Sequence, residues 1–116
     1  MRGLRVLLVD DNREVLQTLR RILTRAGHNV ITQTSVHGAY EIVGSHELDV
    51  VISDYWMADG TGVEVANELQ RIQPSARLLL LTGDGSSSID GDGFVVLHKP
   101  VHAHEILRAI SNLLHA

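Results

Sequence analysis

The chain has 116 residues, 44% of them hydrophobic and 21% charged, which is one domain's worth and enough to bury roughly two thirds of the unfolded surface without a staple. It has no cysteine, which excludes a disulfide framework, an iron–sulfur cluster and a thiolate zinc site. Ten Lys and Arg against fourteen Asp and Glu leave a net charge of -4, and one Trp, two Tyr and one Phe make no base-stacking platform, so direct nucleic-acid binding is not expected.

In chain order, Met1-Arg2-Gly3 leads straight into an apolar run, with no signal peptide, and no run approaches the roughly 20 residues of a membrane helix; a cytoplasmic domain is expected. Leu4–Val9 reads as a first buried strand. Arg13–Ala26 reads as a helix, with Val15, Leu16, Leu19, Ile22, Leu23 and Ala26 at three- and four-residue steps and Gly27 at its C-cap. Asn29–Thr34 is a weaker second strand. Ser35 then caps a helix through about Val43, ended by Gly44. Leu48–Ser53 is a third strand, and Val63, Ala66, Leu69 and Ile72 mark a helix closed by Pro74. Arg77–Leu81 and Phe94–Leu97 read as the last strands, and Ile106, Leu107, Ile110, Leu113 and Leu114 mark the last helix. Residues 83–93, GDGSSSIDGDG, hold only Ile89 besides Gly, Ser and Asp. Glycine costs about 1 kcal/mol per helical site, so a fourth crossover helix is expected to be short or missing. Strands alternating with helices predict an α/β fold, a doubly wound parallel sheet with helices on both faces.

In such a sheet ligands bind outside the carboxyl ends of the strands. Those ends carry Asp10 and Asp11, Asp54, Thr82 and, after His98, Lys99 and Pro100. Taken singly, each has an ordinary reading: a helix cap, a turn residue, a strand end, a solvated lysine. Together they place three carboxylates, a hydroxyl and an ammonium at one rim. Two or three carboxylates suit Mg²⁺, which keeps octahedral oxygen ligands and several waters. Without a cation such carboxylates repel, and at least one pKa must rise. An aspartate beside the cation can attack a phosphoryl group, with the ammonium and hydroxyl stabilising its oxygens.

From VLLVDDN (Val6–Asn12) through VVISDYWMADGTG (Val50–Gly62) to LLLLTG and LHKP, the whole chain, 1–116, resembles a receiver domain of a two-component response regulator, similar to the single-domain chemotaxis regulator. The LTGD and LHKPV wording especially resembles receivers at the C-terminal end of hybrid sensor histidine kinases. The resemblance implies a five-stranded flavodoxin-like sheet of order 2-1-3-4-5. It implies that Asp54 is the phosphoacceptor and that Asp10, Asp11 and Asp54 bind Mg²⁺ with the Trp56 backbone carbonyl. Thr82 and Lys99 would hold the phosphoryl group, with the small Gly83 beside it. The donor would be a phosphohistidine on a sensor histidine kinase or histidine phosphotransfer domain. With no output domain expected after the last helix, the response would be altered partner binding, onward transfer, or the output of a parent protein of which this chain is one piece.

Departures from the family pattern are specific. Trp56 and Asp84 hold the positions that tune dephosphorylation, and bulky Trp56 is expected to slow it. Ala58 stands for the usual proline. The switch position, normally aromatic, is Val96, with Phe94 two residues before it. The segment from Thr82 to Lys99 is several residues short, which erodes the family's homodimer face of fourth helix, last strand and last helix.

Two other readings are weaker. An aspartate-nucleophile phosphohydrolase usually carries a DxD motif on its first strand, where Asp10-Asp11-Asn12 stands here, and a cap for which the chain has no room. A degenerate receiver, acting as a phosphorylation-independent interaction module, fits poorly with a complete set of site residues. Any catalysis would then be confined to phosphorylation and dephosphorylation of Asp54 itself. His98, His102 and His104 lie close in sequence, but the last two open a helix and are expected to diverge, which disfavours zinc. Asp84, Asp90 and Asp92 miss the EF-hand register, and neither GDGSSS nor GTGVEV completes a dinucleotide-binding fingerprint. Arg13, Arg20, Arg21 and Arg25 read as a solvated face or a surface for an acidic partner.

Overall fold

The structure is a computed structural model that describes residues 3–83 and 94–114. Its elements in chain order are β1 (Arg5–Val9), α1 (Arg13–Arg25), β2 (Asn29–Gln33), α2 (Val36–Val43), β3 (Val50–Asp54), β4 (Trp56–Met57), β5 (Gly60–Thr61), α3 (Gly62–Ile72), β6 (Arg77–Thr82), β7 (Val95–His98) and α4 (Ala103–Leu114). The main sheet runs β2-β1-β3-β6-β7, every pairing parallel. With the β4–β5 hairpin set aside, this is the expected order 2-1-3-4-5. Strand order reverses between β1 and β3, so the crevice for a ligand opens at their carboxyl ends.

Alternation along each strand builds two cores. Val6, Leu8, Val50, Ile52, Leu79 and Leu81 face α1 and α4, where they meet Leu16, Leu19, Leu23, Ile106 and Ile110. Leu7, Val9 and Val51 face α2 and α3, where they meet Val36, Ala39, Val43, Val65 and Leu69. Each fully buried leucine or isoleucine contributes about 2 kcal/mol by leaving water, so both faces anchor the strand ends firmly.

Helix ends follow local chemistry. The Asn12 side chain accepts from the N–H groups of Glu14 and Val15 and starts α1. Gly27 at φ +97° ends it, a left-handed conformation that glycine adopts without penalty. Thr61 and Glu64 form a reciprocal capping box at α3. Expected elements and observed ones agree within two residues at each end, except that α4 starts three residues before its first expected marker, Ile106, and the β4–β5 hairpin carries no expected counterpart. Its strands are two residues each, too short to show a period. Among the described residues no helix lies between β6 and β7; the crossover segment 84–93 itself, with Asp84, lies outside them. Residues 83–94 separate the two strands, close to the shortest crossover a parallel pair admits, about a dozen residues. No helix among the described residues is long and apolar enough to cross a membrane.

Candidate functional site

The end of β1 delivers Asp10 and the end of β3 delivers Asp54, on neighbouring strands in register at Val9 and Ser53. Both are buried, Asp10 at 2% and Asp54 at 9% of full exposure, while Asp11 is exposed. One carboxylate oxygen from each of Asp10, Asp11 and Asp54 lies within 4.8 Å of the others. Lys99 reaches this group from the end of β7. Its Nζ donates to Asp10 Oδ2 at 2.8 Å and lies 3.3 Å from Asp54 Oδ1. Asp10 Oδ1 accepts the Asn12 N–H at 2.9 Å, so both Asp10 oxygens are engaged. Thr82 is fully buried at the end of β6, in register with His98, and its backbone carbonyl accepts the Lys99 N–H at 2.8 Å.

The electrostatics follow from this crowding. Burial and the neighbouring Asp10 charge push the Asp54 carboxyl above its ordinary range, with Lys99 opposing them and Asp11 adding to them. Burial alone would lower the Lys99 ammonium. The hydrogen bond and charge of Asp10, then of Asp54, outweigh it and raise Lys99 above its ordinary value. Three carboxylates against one ammonium leave the rim with an excess of negative charge that suits a divalent cation. The spacing fits as well: neighbouring and opposite oxygens around octahedral Mg²⁺ stand about 3 and 4.2 Å apart, within the span of the cluster. All-oxygen donors, two of them buried, match the hard-cation preference.

The segment after Asp54 is held on three sides. The Tyr55 N–H donates to Leu81 O and the Gly62 N–H to Tyr55 O, each at 2.8 Å. A Cβ on Gly62 would stand 2.6 Å from the Asp54 backbone oxygen and from Leu80 Cδ2, so only glycine lets α3 start this close beneath the phosphoacceptor candidate. Trp56 is 58% exposed, and its ring meets Tyr55 edge-on at 4.7 Å. Val96 is half-buried on β7, opposite Leu80. Gly83 is exposed, and among the described residues a Cβ there would meet no atom within 4 Å.

Other expectations are refined or corrected. The cap of α1 is Asn12, and Asp10 and Asp11 are left to the rim. His102 and His104 do not diverge: their rings stack at 6.0 Å, only 4° from parallel, because His102 sits at the turn just before α4. Among the described residues the acidic triad is the one group of three or more candidate ligands. Sequence reasoning missed Asn12, Gly62 and Asp59 as supports of the site. Asp59, in the turn of the hairpin, accepts the N–H groups of Val36 and His37 at 2.9 and 3.0 Å. Only the Thr-x-x-Glu spacing at Thr61 and Glu64 offered a local signal for this region.

Comparison with known proteins agrees with the geometry. The response regulator receiver domain family matches residues 6–111. The chain is 32% identical over 114 residues to the transcriptional regulatory protein GlrR of Escherichia coli (strain K12), covering 94% of this chain and 26% of GlrR. It is 26% identical over 115 residues to the response regulator receiver protein CpdR of Brucella abortus (strain 2308), covering 95% of this chain and 96% of CpdR. It therefore spans about a quarter of the first relative and nearly all of the second. The crystal structure of a response regulator protein from Burkholderia pseudomallei with a phosphorylated aspartic acid, calcium ion and citrate matches with a TM-score of 0.85 at 28% identity, covering 97% of this chain and 72% of that one. The chain belongs to the response regulator receiver domain family of two-component signal transduction.

Proposed function

We propose that Asp54 is the residue that accepts the phosphoryl group, from a phosphohistidine on a sensor histidine kinase or histidine phosphotransfer domain. The observation that carries this reading is the meeting of Lys99 with Asp10 and Asp54 at the switch point of the sheet, from strands far apart in sequence. A carboxylate oxygen of Asp54 attacks phosphorus, forming an O–P bond. The P–N bond of the donor breaks, and its electron pair leaves with the imidazole, which takes up a proton. The Lys99 ammonium turns to pair with the phosphoryl oxygens, and the Thr82 hydroxyl donates to one of them. Asp10, Asp11 and Asp54, with the Trp56 backbone carbonyl, would hold Mg²⁺, which would supply neutralising charge for the phosphoryl group. The crystal structure of a related regulator contains a phosphorylated aspartic acid, which supports an acyl-phosphate on this fold.

Beside the rim, a groove of about 460 Å³ lined by Glu14, Val15, Thr18, Leu81, Lys99 and Pro100 gives a donor an apolar approach to Lys99. Bulky Trp56 slows loss of the phosphoryl group, and Asp84 shares that tuning. Val96 offers no ring to swing toward Thr82, so signalling by an aromatic switch is not part of this proposal.

The test is intact mass after incubation with Mg²⁺ and a small acyl-phosphate donor. One phosphoryl adduct on the wild type, and none on Asp54→Asn, is expected. Multiple turnovers of a phosphomonoester would favour the phosphohydrolase reading. No adduct and no response to Mg²⁺ would favour a phosphorylation-independent module.

A further inference from the structure

Helix α2 begins with two separate caps. Ser35, its own N-cap, accepts the N–H of Gly38 at 2.9 Å. The first two N–H groups, of Val36 and His37, go to Asp59, 23 and 22 residues further along the chain. A helix N-terminus needs its first N–H groups satisfied, and here the acceptor for two of them belongs to a distant turn rather than to the helix's own cap. The Asp59 carboxylate ties the tip of the β4–β5 hairpin to the N-terminus of α2 with two charge-assisted hydrogen bonds, which also hold that carboxyl below its ordinary range.

The hairpin so tied is the strip of chain that follows Asp54. Trp56 pairs with Thr61 and Met57 with Gly60. Gly60 has φ +154°, and a Cβ there would stand 2.8 Å from Glu64 Oε1 and 3.1 Å from Val36 Cγ2, so the hairpin lies close against both helices. Met57 is buried in the cluster that includes Val36 and Val65. One end of the strip is fixed by Asp54 in the core, and the turn is fixed by Asp59. Trp56, whose carbonyl the site reading uses, lies between these two fixed points.

We infer that Asp59 is a positioning residue for the cation and phosphoryl site, holding the Trp56 backbone in place through its hydrogen bonds to Val36 and His37. The inference rests on the reading of Asp10, Asp11, Asp54 and Trp56 as the Mg²⁺ site. It differs from a plain helix-cap role in what its loss disturbs. A cap supports α2; a positioning residue also sets how well the rim binds its cation.

Trp56 is the chain's single tryptophan, so intrinsic fluorescence reports from the hairpin itself. The experiment titrates Mg²⁺ against that signal and measures Tm without metal in the wild type, Asp59→Ala, Asp59→Asn and Ser35→Ala. Ser35→Ala removes a cap from the same helix end but leaves the hairpin tied. Asp59→Ala is expected to weaken the Mg²⁺ midpoint about tenfold, as loss of a support behind a metal ligand does. Asp59→Asn, which keeps one acceptor oxygen, is expected to fall between it and the wild type, and carries the test if Asp59→Ala does not fold. Ser35→Ala is expected to lower Tm and leave the midpoint unchanged. Equal midpoints in the wild type and the folded Asp59 variants, with Tm lowered as in Ser35→Ala, would reduce Asp59 to a cap and overturn the inference alone. A wild type whose Trp56 signal and Tm ignore Mg²⁺ would overturn the site reading and this inference with it.

Discussion

The two ends of strand β1 carry charge clusters of similar make-up and opposite character. At the amino end Arg5 bridges Glu47 at 2.7 Å and Asp49 at 3.1 Å, with side chains 49%, 85% and 29% exposed. At the carboxyl end Lys99 bridges Asp10 and Asp54, with side chains 23%, 3% and 12% exposed, and Asp11 adds a third carboxylate. Both clusters have more anions than cations. At the amino end water solvates the excess, so the cluster is an ordinary surface network of small net worth. At the carboxyl end burial removes that solvation, and the excess persists as repulsion between Asp10 and Asp54. A fold gains nothing from such an arrangement. Such an excess suits a ligand that brings positive charge, as the proposed Mg²⁺ would.

The sharpest way to break this comparison is to remove the buried cation. Lys99→Ala is expected to slow phosphorylation by about 10²-fold or more, the usual loss when a transition-state charge partner is deleted. Its Tm should fall in EDTA, and Mg²⁺ should restore most of that loss by replacing the missing charge. A Tm insensitive to Mg²⁺ in this variant would mean that the rim does not take a cation in place of the ammonium.

Removing the buried anion acts in the opposite sense. Because the folded-state pKa of Asp54 is raised, its contribution to stability is fully present below the ordinary carboxylate pKa and is lost as pH rises through the raised value. Ionised Asp54 therefore destabilises the metal-free domain at neutral pH. Asp54→Asn is expected to raise Tm by roughly 2–5 °C at pH 7 in EDTA. Scans from pH 4 to 7 should show the wild type losing ground to Asp54→Asn as pH rises. The rate of phosphorylation should climb across the same window, since only the ionised carboxylate attacks. A Tm difference independent of pH would place the strain elsewhere.

Smaller effects sharpen the contrast. Trp56→Asn is expected to speed loss of the phosphoryl group several-fold while leaving Tm nearly unchanged, because the ring is mostly exposed. An unaltered rate of dephosphorylation would remove Trp56 from that role. At the other end of β1, Arg5→Ala should shift Tm by no more than about 2 °C and leave Mg²⁺ binding untouched. A large loss there would show that exposure does not separate the two clusters.

How much of this was readable in the sequence depends on distance along the chain. The central strands were legible because both of their faces are buried and their runs are almost wholly apolar, as in LRVLLV and RLLLL, while the edge strand NVITQ, only half-buried, gave a weaker signal. The rim was legible because the end of each strand is fixed once the strand is, so Asp10, Asp54, Thr82 and Lys99 fall together by topology. Supports that join distant segments were not legible. Asp59 caps a helix that precedes it by more than twenty residues. Gln73 donates to the carbonyls of Val43 and His46 and accepts from the Leu48 N–H, closing the turn before β3. Such contacts depend on tertiary proximity, which no local pattern encodes. Gly62 could have been read as a helix start, but not as the residue that lets α3 press on the Asp54 carbonyl.

The most direct measurement locates the transferred group. The protein is phosphorylated with Mg²⁺ and an acyl-phosphate donor, the acyl-phosphate is reduced with borohydride, and the peptides are sequenced by mass spectrometry. Homoserine is expected at position 54, formed only when Mg²⁺ is present. Reduction product at Asp10, Asp11 or any other carboxylate, or labelling that proceeds equally well in EDTA, would contradict that assignment.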